Sequence, residues 1–114
     1  MQIDAKKFLY DIREAIDLLT EFTNGKTFDD YMHDAMLRAA VERELQIIGE
    51  AITQVARVDP QTVAKITEFR RIIAFRNILI HGYADVDNTL VWDVVEAKLP
   101  LLKTEIEELL REKS

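Results

Sequence analysis

Three polar side chains that could take part in catalysis lie within six residues of one another in an otherwise apolar stretch: Arg76, Asn77 and His81. Their neighbours from 72 to 80 are almost all large and apolar. A segment that is apolar on every side is normally buried or packed in an interface. Placing an arginine and a histidine in such a segment costs free energy unless each has a partner. We therefore interpret the segment as a functional site.

The three side chains suit the cleavage of a phosphodiester without a metal ion. His81 falls at the predicted end of a helix, where the macrodipole favours the cation, whereas burial would favour the neutral imidazole. Opposing effects around a reference pKa of about 6.5 suit a group that moves protons near neutral pH. Arg76 stays charged and can bind a phosphate with two N–H groups. His81 could thus activate the 2′-OH of RNA while Arg76 stabilises charge on the phosphorus and Asn77 orients the imidazole or a substrate oxygen.

The spacing of Arg76 and His81 limits how they can cooperate. Residues five apart lie about 140° apart around a regular helix, so the two side chains cannot meet within one helix. Either the helix distorts near Gly82 or a second chain completes the site. Because the segment is apolar all round, we expect one of its faces to pack against a second copy, giving a homodimer.

Helical periodicity and capping residues predict two helices in the first half of the chain. The first spans about Asp4–Phe22, with its first residue as N-cap, and ends at Asn24-Gly25. The second is predicted to run without a break from the cap Thr27 to about Ala56, opened by a capping box with Asp30. Gly49, inside that helix, indicates close approach by a neighbouring helix.

The second half contains the helix with the polar side chains. Asp59-Pro60 is a helix start, with the aspartate as cap and the proline at the first position. Residues 60–66 form either a short helix of their own or the beginning of the next one, and Thr67 could cap again. The next helix is predicted over about Glu68–His81, with Gly82 ending it in a left-handed conformation.

The last predicted helix follows a loop and is capped by Asp87 or Asn88. It extends to about Glu112, and Pro100 should kink or split it. Together these segments predict an all-α fold, an antiparallel up-and-down bundle of about four main helices with a possible short extra helix. We expect one domain over residues 1–114.

Composition excludes several classes of protein. The chain has no cysteine and two histidines far apart, so we expect no disulfide, no metal site and no cofactor. It has no apolar run long enough for a membrane helix and no signal peptide at its N-terminus, so a cytoplasmic protein is expected. A net charge of −6 disfavours indiscriminate nucleic-acid binding, DNA included, and requires a local basic patch for any RNA contact.

The motif resembles that of a known family. The sequence Arg76-Asn77-Ile78-Leu79-Ile80-His81-Gly82-Tyr83 is similar to the R-x4-H-x-Y motif of the HepT-like toxins of the HEPN superfamily. Three further stretches are similar to the same family: residues 48–51, residues 87–92 and the Leu99-Pro100-Leu101 break. The resemblance covers most of the chain from about Val41 onward.

The resemblance implies a fold, an activity and partners. It implies a homodimeric helical bundle with the motif residues of both chains in a shared cleft, acting as a metal-independent endoribonuclease on tRNA or mRNA. It also implies a type VII-like toxin–antitoxin pair with an MntA-type nucleotidyltransferase antitoxin. In this family the antitoxin can transfer AMP to the motif tyrosine, here Tyr83.

Two alternatives remain open at this stage. Arg76 and His81 could have only a structural role, with the arginine bound to a carboxylate such as Glu50 and the histidine to a backbone carbonyl. Glu50 is interpreted as a supporting partner of an arginine rather than as a catalytic acid. The alternative function is a non-catalytic helical module that binds a nucleotide or a nucleotidyltransferase through the same cleft.

Overall fold

The computed structural model describes residues 4–82 and 86–113, and its regular structure within those ranges is helical. Seven α-helices follow one another along these ranges, with a π-helical turn over Val94–Lys98 between the last two: α1 (Ala5–Thr23), α2 (Phe28–Met32), α3 (Ala35–Val58), α4 (Pro60–Val63), α5 (Phe69–His81), α6 (Asn88–Asp93) and α7 (Leu99–Glu112). The predicted all-α bundle is confirmed.

The core lies between the long helices. α1 and α3 pack along most of their lengths, α5 packs on α3, and α7 packs on α1. The fully buried side chains on these helices include Leu9, Ile12, Ile48, Ile52 and Ile106. None of the helices in the described ranges is long and apolar enough to cross a membrane.

Four helix starts lie where the capping residues predicted them. Asp4 accepts a hydrogen bond from the Lys6 amide, and Thr27 forms the reciprocal capping box with Asp30. Asp59 caps the short helix α4, with Pro60 in the first turn. Asp87 caps α6 by accepting from the amides of residues 89 and 90. Each cap satisfies backbone N–H groups that the helix leaves free.

The prediction of one unbroken helix from Thr27 to Ala56 is wrong. The chain leaves the helical conformation at His33 and Asp34, which separates α2 from α3. Asp34 caps α3, since its carboxylate accepts from the Leu37 amide at 3.0 Å. The Arg38 guanidinium donates to the Met32 carbonyl at 2.6 Å. A side chain thus supplies the hydrogen bond that the last carbonyl of α2 cannot find within the helix. These two contacts compensate for the helical hydrogen bonds lost at the break.

The start of α5 also differs from the prediction. Thr67 does not cap the helix; its amide and hydroxyl donate to the Glu105 carboxylate of α7 at 3.0 and 2.7 Å. Glu68, with a positive φ of 55°, turns the chain into α5 and makes no side-chain cap. The helix is thus attached to α7 immediately before its first turn.

The last helical segment is interrupted near Pro100, as predicted. α6 passes through the π-helical turn into α7, and Pro100 lies in the first turn of α7. Proline has no N–H for an intrahelical hydrogen bond, and a wider turn before it relieves the clash of its ring with the preceding turn.

Asp59 makes the stability of the bundle depend on pH. Its carboxylate accepts from the Thr62 hydroxyl at 2.6 Å and from Lys113 at 3.1 Å, and these bonds hold the pKa of the Asp59 carboxyl below its ordinary value. A lowered pKa stabilises the folded state above the unfolded pKa, about 4, and that contribution is lost as the pH falls through the folded pKa.

We therefore expect Asp59→Asn to be less stable than the wild type at pH 7, and the difference to shrink as the pH falls below about 4. Urea unfolding of both proteins across pH 2–7 measures the effect. A difference that stays constant over the whole range would contradict this account.

Candidate active site

The close approach of α3 and α5 places Arg76 in the structure. A Cβ atom added to Gly49 would lie 2.7 Å from Arg76 Cγ and closer still to its Cβ. Only a glycine leaves room for the arginine stem here, so the predicted reason for a glycine inside this helix is confirmed. Gly49 thereby allows Arg76 to lie over α3.

The Arg76 guanidinium is held by two side chains. Nη2 forms an ion pair with Glu50 of α3, and Nη1 donates to Asn77 Oδ1 at 2.9 Å. The Arg76 side chain is 24% exposed and that of Glu50 is 52% exposed, so solvent reaches the pair. The predicted contact between Arg76 and Glu50 is therefore found, and the arginine keeps an accessible edge.

His81 lies apart from Arg76. α5 remains α-helical through His81, and the imidazole is exposed, so the expected burial of this histidine is not found in the single chain. Within residues 4–82 and 86–113 the His81 ring forms no hydrogen bond and no ion pair. The structure thus brings together Arg76, Asn77 and Glu50 but leaves His81 on another side of the helix.

The end of α5 differs from the prediction in its backbone. Gly82 has a φ of −112°, not the expected left-handed value, and its N–H donates to the Ile78 carbonyl at 2.8 Å. A side chain at this position would start 3.0 Å from that same carbonyl oxygen, so close approach favours glycine here. Tyr83, the candidate for modification, lies outside the described residues.

α5 is a basic helix in an acidic chain. The helix carries three arginines, Arg70, Arg71 and Arg76, and no aspartate or glutamate, whereas the whole chain has a net charge of −6.

The described part of the chain contains no group of three histidine, cysteine or acidic side chains arranged to hold a metal ion.

α5 also exposes apolar surface. Ile78 is 50% exposed, and Leu90 of α6 and Leu101 of α7 are 44% and 48% exposed. A groove of about 270 Å³, lined in part by Ile72, Phe75, Leu90 and Leu101, lies beside α5. Clustered apolar exposure of this kind marks interaction surfaces.

A helical bundle that carries an R-x4-H motif at the end of one helix is a bundle of the HEPN class. The comparison with known proteins is more specific. The chain belongs to the HepT-like ribonuclease family, whose model matches residues 12–109.

Several relatives are similar over nearly the whole chain. "Putative RNase MJ1380" of Methanocaldococcus jannaschii is 36% identical over 104 residues, which is 91% of this chain and 94% of the relative. "Probable ribonuclease HepT" of Thermococcus cleftensis is 37% identical over 109 residues, covering 96% of this chain and 98% of the relative. No solved structure matches the chain.

A third relative is longer than this chain. "Gamma-glutamylcyclotransferase and putative RNase MJ0434" of Methanocaldococcus jannaschii is 38% identical over 112 residues, which cover 98% of this chain and 50% of that protein. A sequence of this kind therefore also occurs as half of a larger protein.

Proposed function

We propose that the protein is a metal-independent endoribonuclease toxin that cleaves tRNA or mRNA with Arg76 and His81. The observation that carries the proposal is the composition of α5 in a HepT-like chain: a helix without acidic residues that ends in an exposed histidine. A toxin that cleaves tRNA or mRNA acts where these RNAs are, so we place it in the cytoplasm.

In the proposed reaction the RNA supplies its own nucleophile. His81 removes the proton from a 2′-OH, and the 2′-oxygen forms a bond to the adjacent phosphorus while the bond from phosphorus to the 5′-oxygen breaks. The proton ends on the departing 5′-oxygen, leaving a 2′,3′-cyclic phosphate. Arg76 stabilises the additional negative charge on the phosphoryl oxygens in the transition state.

Glu50 and Asn77 are positioning residues in this proposal. They bind the two Nη atoms of Arg76 and so fix the plane of its guanidinium. The Nε atom of Arg76 is buried, but its two Nη atoms carry four N–H groups, so those not used by Glu50 and Asn77 remain for a phosphate. An arginine held in advance loses less conformational entropy when substrate binds.

The test is cleavage of purified tRNA and mRNA in the presence of EDTA. We expect defined fragments ending in cyclic phosphate, with the same rate with and without the chelator. RNA or nucleotide binding without cleavage would instead support the alternative, a non-catalytic module that binds a nucleotide or a nucleotidyltransferase.

His81 and Arg76 lie about 140° apart on one helix and cannot meet within it, so the proposal requires a homodimer in which His81 of one copy approaches Arg76 of the other. The exposed apolar residues beside the motif support pairing through this side of the molecule. We expect light scattering at micromolar concentration to give about twice the 13.2 kDa of one chain.

Ile78→Glu is expected to yield monomers and to abolish cleavage, since a charge would replace an apolar contact. Met36→Glu is the control, because Met36 is 83% exposed and lies on α3 away from the motif. A wild-type protein that is monomeric yet fully active would exclude a composite site.

We further propose that an MntA-type nucleotidyltransferase encoded with the toxin controls it by transferring AMP to Tyr83. Tyr83 follows His81 by two residues, so an added AMP would bring bulk and negative charge close to the catalytic histidine. Occlusion and repulsion of RNA phosphates would then inhibit cleavage.

We expect intact-mass analysis after incubation with the partner and ATP to show one or more AMP units on the wild type and none on Tyr83→Phe. Tyr10→Phe, at an exposed tyrosine of α1, is the control and should be modified like the wild type. An adduct that persists in Tyr83→Phe would place the target elsewhere.

A further inference from the structure

The outer face of α5, which we define as Arg70, Ala74, Asn77 and His81, is an exposed strip on which three of the four side chains are polar. Its members are four, three and four residues apart, so they fall within a sector of about 60° around the helix. All four are exposed. Leu79, which is buried, projects from the opposite side. The outer face therefore aligns the catalytic histidine with Asn77 and one arginine.

Arg70 differs from its neighbour Arg71 in two respects. Arg71 forms an ion pair with Glu68 at 3.2 Å and lies about 100° away from the outer face. Arg70 forms no ion pair with any residue in the described ranges; its guanidinium lies 5.0 Å from the centre of the Phe69 ring. Among the residues that the structure describes, Arg70 is thus the arginine of α5 that pairs with no carboxylate.

The distance between Arg70 and His81 matches a length of single-stranded RNA. Eleven residues of helix span about 16 Å. A stacked strand carries one charge per about 3.4 Å, so this span corresponds to at most about five nucleotides, and fewer if the strand is extended. A strand cleaved at His81 and running along the outer face would therefore bring a phosphate to Arg70.

We propose that Arg70 binds a second phosphate of the substrate, several nucleotides from the bond that is cleaved. The inference rests on the proposed ribonuclease function and makes its substrate more specific. The substrate is a single strand that extends beyond the cleavage point along α5, and a dinucleotide is too short to use the whole site.

The test is binding of a twelve-nucleotide single-stranded RNA with 2′-O-methyl groups, which cannot undergo the cleavage step. Fluorescence anisotropy at several salt concentrations gives the slope of log Kd against log salt. Each phosphate contact with a single strand contributes about 0.7 to that slope. We expect Arg70→Ala to lower the slope by about 0.7, Arg71→Ala to leave it unchanged, and Arg70→Lys to restore most of it.

Cleavage kinetics give a second measurement. With a long substrate, Arg70→Ala should raise KM and leave kcat close to that of the wild type, since the contact is remote from the reacting atoms. With a dinucleotide, the wild type and Arg70→Ala should be equal. Circular dichroism and light scattering confirm that each variant keeps its fold and assembly.

The outcomes separate the two proposals. If the wild type cleaves RNA but Arg70→Ala has the same salt slope and KM as Arg71→Ala, the role of Arg70 is excluded and the nuclease stands. If the wild type neither binds nor cleaves RNA, the proposed function fails, and the role of Arg70 fails with it.

Discussion

Replacing His81 with alanine is expected to lower RNA cleavage by a factor of about 10²–10⁴, the usual loss when a general base is removed. The imidazole is exposed and forms no hydrogen bond or ion pair within the described residues, so the fold should not depend on it. Thermal unfolding of the variant should therefore match that of the wild type. Single-turnover cleavage of a labelled RNA measures the rate.

His33→Ala is the matched control, because it removes the other histidine of the chain. His33 lies at the end of α2, where its ring contacts the Asp29 carbonyl at 2.8 Å, and α2 does not carry the motif. This variant should cleave at the wild-type rate. Wild-type activity in His81→Ala, or equal losses in both variants, would exclude His81 as the base.

Gly49→Ala should impair cleavage although residue 49 has no catalytic group. The new methyl would overlap the Cβ and Cγ of Arg76, so α5 must move away from α3. Displacing a catalytic group by about 1 Å can cost on the order of 10²-fold in rate, and overpacking a tight contact typically costs about 1–3 kcal/mol of stability. We expect both effects, measured by RNA cleavage and by urea unfolding.

The sign of the stability change makes this experiment decisive. At a helical position with free space around it, replacing glycine with alanine would stabilise the protein by about 1 kcal/mol. A stabilised and fully active Gly49→Ala would show that Arg76 does not depend on the close approach of α3. Arg76→Gly is the comparison: the double variant Gly49→Ala/Arg76→Gly should recover stability but not activity, because both overlapping atoms, Cβ and Cγ of residue 76, are gone.

Much of the fold follows from local rules that can be read in the sequence. The caps at Asp4, Thr27, Asp59 and Asp87 each depend on a side chain within a few residues of the amides it satisfies. The tight contact at Gly49 was also predictable, since a glycine inside a long helix is costly without such a reason.

Features that depend on distant partners were not predictable in the same way. The break between α2 and α3 has no glycine or proline to signal it, and it depends on Arg38 reaching back to the Met32 carbonyl. Thr67 has the composition of a cap, yet it binds Glu105, 38 residues away. The spacing of Arg76 and His81 predicted their separation, and Glu50 was predicted only as one possible partner of Arg76, which the packing of α5 on α3 shows to be correct.

α5 has fewer fully buried side chains than α3 or α7. It has one fully buried residue, Leu79, whereas eight residues of α3 and five of α7 are buried. Hydrogen exchange of backbone amides should consequently be faster in α5 than in α3, since the other apolar side chains that α5 packs against the core, Phe69, Ile72, Ile73 and Phe75, are only partly buried. We therefore expect α5, which carries the motif, to open locally while α1 and α3 stay packed together. A partner that covers α5 would slow amide exchange in α5 and leave amide exchange in the other helices unchanged.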